Sequence, residues 1–214
     1  MIVNERIVAY INSLDRGNSP ICNTIEKEAI EDDVPIIRKE MGNLLKVLLE
    51  LKQPQSILEV GTAVGYSSIL MSENMPQNCR ITTIENYEKR IPVAKNNFKR
   101  AGKEEVITLL EGDAMDILKE LDGTYDFIFM DAAKGQYINF LPELLRLMPA
   151  GGLLISDNVL QEGDIVESRY GVTRRNRTIH TRMREYIYTL THAEQLETSI
   201  VPIGDGITLS VKKG

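Results

Sequence analysis

What most constrains this chain is an alternation of two periodicities. Short runs rich in β-branched and aliphatic residues, at 56–60, 80–85, 106–110, 125–130 and 153–156, are separated by helix-length segments. Strand, crossover helix and parallel strand are the unit such a rhythm builds, which implies an α/β fold with a mainly parallel sheet covered by helices on both faces. The rhythm breaks near the end, where strand-like runs at 199–203 and 207–211 are joined by Gly204-Asp205-Gly206. So short a connection permits only a hairpin, so one of these strands runs antiparallel to its neighbour.

Ahead of the first strand lies a helical extension, residues 1–52, in which 36–51 places Ile37, Met41, Leu44, Leu45 and Leu48 at helical spacing. Such an extension is suited to cap a pocket or pair subunits. With 214 residues, 43% of them hydrophobic, and no repeat or Pro/Gly/Ser linker, the chain is expected to form one domain over 1–214 around one core. No run approaches the 18 or so apolar residues of a membrane span, and Met1-Ile2-Val3-Asn4-Glu5-Arg6 lacks the basic-then-apolar layout of a secretory signal. The expectation is a soluble, cytoplasmic protein without a membrane partner. Cys22 and Cys79 have no companion residues at metal or redox spacing and read as ordinary reduced thiols. A net charge of -6 argues against indiscriminate binding to nucleic acid but leaves room for a local basic patch.

The candidate site begins at Ile57-Leu-Glu-Val-Gly-Thr-Ala-Val-Gly-Tyr-Ser-Ser68, which ends a strand, turns on Gly61 and Gly65 and opens a helix. The spacing lacks the middle glycine that seats a dinucleotide pyrophosphate, which favours a ligand without one. Glu85 closes the second strand about 20 residues on, where an acid accepts hydrogen bonds from ribose hydroxyls. Gly112-Asp113-Ala114 follows the third strand, in a position to read an adenine amino group. A glycine turn after a strand is often only structural, but three such elements at successive strand ends mark the edge where open α/β sheets bind ligands.

Asp131 ends the fourth strand and Asp157-Asn158 the fifth. Two carboxylates and an amide oxygen at one sheet edge form a hard oxygen site suited to Mg²⁺, with Mn²⁺ or Ca²⁺ as alternatives. The plainer reading of each acid alone is a cap on the following helix or turn. Lys134 is a candidate general base or electrostatic guide for an oxyanion, set against a solvated lysine. His180 and His192 sit among charged neighbours in a late helical segment and are expected at the surface. There is no G-x-S-x-G for a serine-hydrolase triad.

These motifs resemble the metal-dependent O-methyltransferases related to the catechol and caffeoyl-CoA enzymes, over nearly the whole chain. Val34-Pro35-Ile36, Glu59-Val-Gly-Thr-Ala-Val-Gly-Tyr-Ser67, Asp131-Ala-Ala-Lys-Gly-Gln-Tyr137, Asp157-Asn158-Val159 and Pro202-Ile-Gly-Asp-Gly206 look most like the bacterial tRNA 5-hydroxyuridine methyltransferases, and the catechol enzymes match less well. The resemblance implies a Rossmann-like, seven-stranded sheet whose last strand is antiparallel. It implies S-adenosylmethionine contacts from Ile37, Glu59, Gly61, Thr62, Gly65, Tyr66, Ser67, Glu85, Asp113, Ala114 and Asp131, and a metal held by Asp131, Asp157 and Asn158. It also implies a homodimer; Asp131 and Lys134 stand as the candidate catalytic residues. Ala132-Ala133 departs from the larger His-Trp type pair of the catechol enzymes, which implies a more open pocket and puts catechol itself in question.

Residues 168–184 carry Arg169, Arg174, Arg175, Arg177, Arg182 and Arg184 and no acid. If 174–190 are helical, Ile179, Met183, Tyr186, Ile187 and Leu190 share one face and the arginines occupy the other. A charge run is usually a solvated face; here Arg174, Arg175, Arg177 and Arg182 are also candidate contacts to RNA phosphates and unpaired bases. Three functions follow: methylation of 5-hydroxyuridine to 5-methoxyuridine at the wobble position in a tRNA anticodon loop, methylation of a small vicinal diol such as a catechol, or nucleotide binding without turnover. The Asp131, Asp157 and Asn158 set weighs against the third.

Overall fold

The computed structural model describes residues 2–214, so of the expected domain only Met1 lies outside. Helices α1 (Glu5–Ser13), α2 (Pro20–Glu31) and α3 (Lys39–Lys52) precede strand β1 (Ser56–Val60). Then follow α4 (Tyr66–Asn74), β2 (Arg80–Glu85), α5 (Ile91–Arg100), β3 (Ile107–Glu111), α6 (Ala114–Glu120) and β4 (Phe127–Met130). After these come α7 (Tyr137–Leu147), β5 (Leu153–Ser156), α8 (Arg177–His192), β6 (Leu196–Val201) and β7 (Ile207–Lys212). The strands form one seven-stranded sheet in the order β3-β2-β1-β4-β5-β7-β6. From β1 to β5 the pairing is parallel, and β7 is antiparallel to both β5 and β6. The expected Rossmann-like sheet with an antiparallel C-terminal hairpin is therefore present.

Alternation along the strands makes two cores. Ile57, Ile81, Phe127, Phe129 and Ile155 point to one face, where α2–α5 cover them with Ile25, Leu45, Leu49, Ile69 and Phe98. Leu58, Val60, Ile84, Ile128, Met130 and Leu154 point to the other, under Leu118, Leu144, Met183, Tyr186 and Leu190 of α6–α8. A parallel strand buried on both faces reads as a continuous apolar run, and β4 (Phe-Ile-Phe-Met) is the clearest case.

Several expected boundaries move, each for a local reason. The fourth strand begins at Phe127 rather than 125, because the Asp126 carboxylate turns away to accept the Gln55 and Ser56 N–H groups at 3.1 and 3.0 Å. The third strand lies one residue later than expected. β6 ends at Val201, before Pro202, which has no N–H to donate to a ladder. The helix expected from 36 starts at Lys39, leaving 35–38 outside it and Ile37 free to face the sheet edge.

In α8, Met183, Tyr186 and Leu190 are fully buried as the pattern predicts. His180 is a correction: it shares their face and is 1% exposed, with neither ring nitrogen partnered. The nearby Arg182 and Arg184 are exposed, whereas the imidazole packs inward, so charge close by in sequence does not place His180 at the surface. α1 buries no residue within the chain, and its Ile7, Tyr10 and Ile11, with Leu14 just beyond its end, are exposed. Among the described residues, no helix is long and apolar enough to cross a membrane.

Candidate active site

The order of the sheet reverses between β1 and β4, which lead away from each other to opposite sides and leave a crevice at their C-terminal ends. A cavity of about 370 Å³ opens there. Its walls include Ile37, Gly61, Thr62, Tyr66, Ser67, Glu85, Asp113, Ala114 and Asp131, nine of the residues expected at the cofactor. Gln136, Phe140, Asn86, Tyr87 and Arg90 join them without having been singled out. For Tyr87 the signal was an aromatic two residues past the acid that ends β2; its ring has the Arg90 guanidinium 5.3 Å away.

Glu59 and Gly65, also expected at the cofactor, do not line the cavity. Glu59 is fully buried beneath it, where its carboxylate accepts from the hydroxyls of Ser67, Ser68 and Thr83. Burial raises its pKa while those three hydrogen bonds oppose the rise. Glu59 thus ties β1, the start of α4 and β2 together behind the turn. Gly65, at φ +85°, is required by packing: a Cβ there would lie 2.5 Å from the Phe98 ring.

Gly61 has a related constraint at the wall itself. A Cβ on it would meet the Asp131 carbonyl oxygen at 2.0 Å, and its φ is +106°. The tight turn after β1 is therefore shaped by the adjacent end of β4 as well as by any ligand. Glu85 is held by the backbone: it accepts from Ala63 N at 2.7 Å, Asn86 N at 3.0 Å and Tyr87 N at 2.9 Å. Those bonds fix its carboxylate at the mouth and leave lone pairs for further donors.

The chemical end is built by continuing the ladder one residue past β4 and β5. Asp131 N donates to Val60 O and Asp157 N to Met130 O, both at 2.9 Å, so the two acids emerge side by side. Tyr137, fully buried, fastens this edge by its hydroxyl to the carbonyls of Asp157 and Met130 at 3.0 and 3.3 Å. Asn158 follows at φ 60° and its amide donates to Asp131 Oδ1 at 3.1 Å. Burial and then the Asp131 charge push Asp157 up to about 7. Burial also raises Asp131, against the Asn158 hydrogen bond and the charge of Lys134.

Lys134 lies in a short 3-10 turn after β4 and pairs with Asp205 at 3.3 Å. Asp205 belongs to the Pro202–Gly206 motif, in which the sequence alone assigns it no role. Together with Arg38, Gly204 and the Ile37 segment, it lines a second cleft that also contains Asp131, Asp157 and Asn158. Asp131 is on the wall of both cavities. Among the described residues there is no cluster of three His, Cys, Asp or Glu side chains placed to hold a metal. The donor set here is instead two acids and an amide, and it fits a hard divalent cation: two adjacent carboxylates, Asp157 buried and Asp131 half-buried, face one ammonium that is already paired. Turning the Asn158 amide over presents its oxygen in place of its NH₂.

Of the arginines, Arg182 donates to Gly135 O at 3.0 Å and Arg184 to Ile165 O and Glu167 O at 3.3 and 3.2 Å, so both also hold loops near the site. Arg177 donates to Val172 O at 3.4 Å. Arg174 and Arg175 are exposed, and among the described residues none of the six arginines forms an ion pair.

The O-methyltransferase family matches residues 16–213, nearly the whole chain. The chain belongs to that family. Catechol O-methyltransferase of Niastella koreensis is 37% identical over 168 residues, 77% of this chain and 70% of its own. Caffeoyl-CoA O-methyltransferase 2 of Populus trichocarpa is 34% identical over 182 residues, 78% and 71% of the two chains. The O-methyltransferase TomG of Streptomyces achromogenes, involved in tomaymycin synthesis and solved in complex with SAM, superposes with a TM-score of 0.87 at 26% identity, covering 100% of both chains. The third function considered, binding without turnover, gives way to an O-methyltransferase of the caffeoyl-CoA and catechol type.

Proposed function

We propose that this O-methyltransferase takes the methyl group of S-adenosylmethionine and places it on one of two adjacent oxygens of its substrate, with a divalent cation held by Asp131, Asp157 and Asn158. The observation that carries this reading is the position of Asp131 on the wall shared by the two cavities. A sulfonium donor in the cavity beside Gly61 and Glu85 and an acceptor in the cleft beside Asp157 then meet across the wall that Asp131 shares with Pro35, Ile36 and Ile37. The chemistry a cation supplies when bound is Lewis acidity, which lowers the pKa of an acceptor hydroxyl and fixes its oxygen. The protein's own part is alignment: Gly61, Thr62 and Glu85 orient the donor, and Tyr137 stiffens the edge that bears the acids. Lys134 directs its ammonium at charge developing on the acceptor oxygen.

For the acceptor, the names of the relatives support a catechol-like small molecule with neighbouring hydroxyls. A second reading, 5-hydroxyuridine at the wobble position of a tRNA, is favoured by a specific observation. The arginine segment runs from the loop after Asn158 into α8, and two small residues, Ala132 and Ala133, line the pocket beside Asp131. In 5-hydroxyuridine the C5 hydroxyl neighbours the C4 carbonyl, so the oxygen pair has the same chemistry as a catechol. Methyl transfer from labelled S-adenosylmethionine, assayed with Mg²⁺ on a simple catechol and on tRNA bearing 5-hydroxyuridine, decides between them. Turnover of neither, with and without the metal, overturns the proposal. The exposed apolar side chains of α1 support the expected homodimer, which sedimentation tests.

A further inference from the structure

The turn between β6 and β7 is built inward. Turns of hairpins normally face water, yet Asp205 is 6% exposed. Gly206, at φ +79°, packs so closely that a Cβ would lie 2.2 Å from Leu160 Cγ. The turn backbone accepts from the loop that follows β5, Val159 N donating to Gly206 O and Leu160 N to Asp205 O, each at 2.9 Å. The Asp205 side chain then divides its two oxygens. Oδ1 accepts from Glu162 N, closing the same loop, and Oδ2 faces Lys134 Nζ at 3.3 Å.

That loop carries Asn158 at its start, and it is strained: Asn158, Gln161 and Glu162 have φ of 60°, 51° and 55°. Non-glycine residues in this region persist only when their surroundings over-determine them. A third carboxylate beside Asp131 and Asp157 adds like charge to the cleft, a cost that a turn meant only to join two strands does not need. Asparagine or glycine serves that purpose equally well.

We propose that Asp205 is a positioning residue of the methyl-transfer site, one carboxylate that holds the Asn158-bearing loop with one oxygen and aims the Lys134 ammonium with the other. It rests on the reading of Asp131, Asp157, Asn158 and Lys134 as the reaction machinery. The two oxygens separate by substitution. Asp205→Asn keeps an acceptor for Glu162 N and loses the charge facing Lys134, whereas Asp205→Ala loses both.

The test uses the full chain with Mn²⁺ as the metal probe, read by electron paramagnetic resonance, and amide hydrogen exchange over 158–163. Asp205→Ala is expected to weaken Mn²⁺ binding by about 10-fold, the usual scale for removing a residue that orients a ligand, and to speed exchange in that loop. Asp205→Asn is expected to leave both near wild type while lowering kcat for a catechol probe by about 10-fold at unchanged KM for S-adenosylmethionine. In a Lys134→Ala background the same Asp205→Asn change is expected to cost nothing further. Unchanged Mn²⁺ affinity and exchange in Asp205→Ala overturn the loop role. Losses that multiply in the double variant overturn the role at Lys134. Failure of the wild-type chain to methylate the catechol counts against that acceptor, while the Mn²⁺ and exchange measurements still judge Asp205.

Discussion

At the cofactor end of the crevice the acids are fully provided for. Glu59 has three hydroxyl donors and Glu85 three backbone N–H groups, so each carboxyl group is held in place by the protein before any ligand arrives. At the opposite end Asp131, half-buried, and Asp157, buried, stand side by side. Besides Asn158 and the backbone, their compensation is a lysine that a third acid, Asp205, also claims. One end is preorganised by neutral donors; the other brings acids together, and a proton or a bound cation relieves their repulsion. The difference teaches that burial alone does not identify a functional acid, since all four are buried or half-buried. What separates them is whether the protein itself satisfies the charge.

The sharpest way to break this contrast is to remove one member of the unsatisfied pair. Asp131→Ala is expected to lower methyl transfer by about 10³-fold or more, without rescue by excess Mg²⁺, in a labelled S-adenosylmethionine assay. Full turnover in that variant, or in chelator, contradicts the role given to the acids. Next comes the satisfied end, where Gly61→Ala drives a methyl group against the Asp131 carbonyl. It is expected to cost about 1–3 kcal/mol in chemical denaturation and to weaken S-adenosylmethionine binding by calorimetry. A variant as stable and as tight as wild type shows that the turn is looser than its packing implies.

A third test uses pH. The Asp157 carboxyl is raised from its ordinary 3.8 to about 7. A raised carboxyl means that between those values the folded chain binds more protons than the unfolded one, so this group's contribution to stability falls as pH rises through the window and levels off above about 7. Metal-free Asp157→Asn is therefore expected to gain stability relative to wild type from pH 4 to pH 7, seen in parallel thermal melts, and saturating Mg²⁺ is expected to close the gap. Parallel curves without metal refute the repulsion between the acids.

The smallest effect is expected at the rim. Replacing Arg174, Arg175 and Arg177 together by alanine should leave catechol turnover within about twofold while weakening tRNA binding and flattening its salt dependence. An unchanged salt slope removes the RNA reading of the segment.

Much of the fold was legible because its signal is local and periodic. β1, β2 and β5 fall where apolar runs begin and end, and the Gly204–Gly206 connection required a hairpin. Boundaries failed where a side chain competed with the ladder, as Asp126 does, or where proline removed a donor, as Pro202 does. In the site, residues at strand ends were legible because chain position alone carries them to the crevice. Glu59 and Gly65 lie in the same stretch of chain, but Glu59 is buried behind the turn and Gly65 packs against Phe98. Asp205 lay in plain view as a turn residue, and nothing in a turn's sequence says whether it faces water.

Sequence by itself determined the order of strands and helices, the hydrophobic faces and which residue types stand at the sheet's edge. Those depend on periodicity and on neighbours a few residues apart. Only the tertiary structure decided that Glu59 is buried beneath the pocket, that His180 lies in the core, and that Asp205 reaches Lys134 across 71 residues of chain. Each of these is a matter of which distant segment packs opposite, and that is fixed by the sheet order and the close approach of backbones rather than by any local pattern.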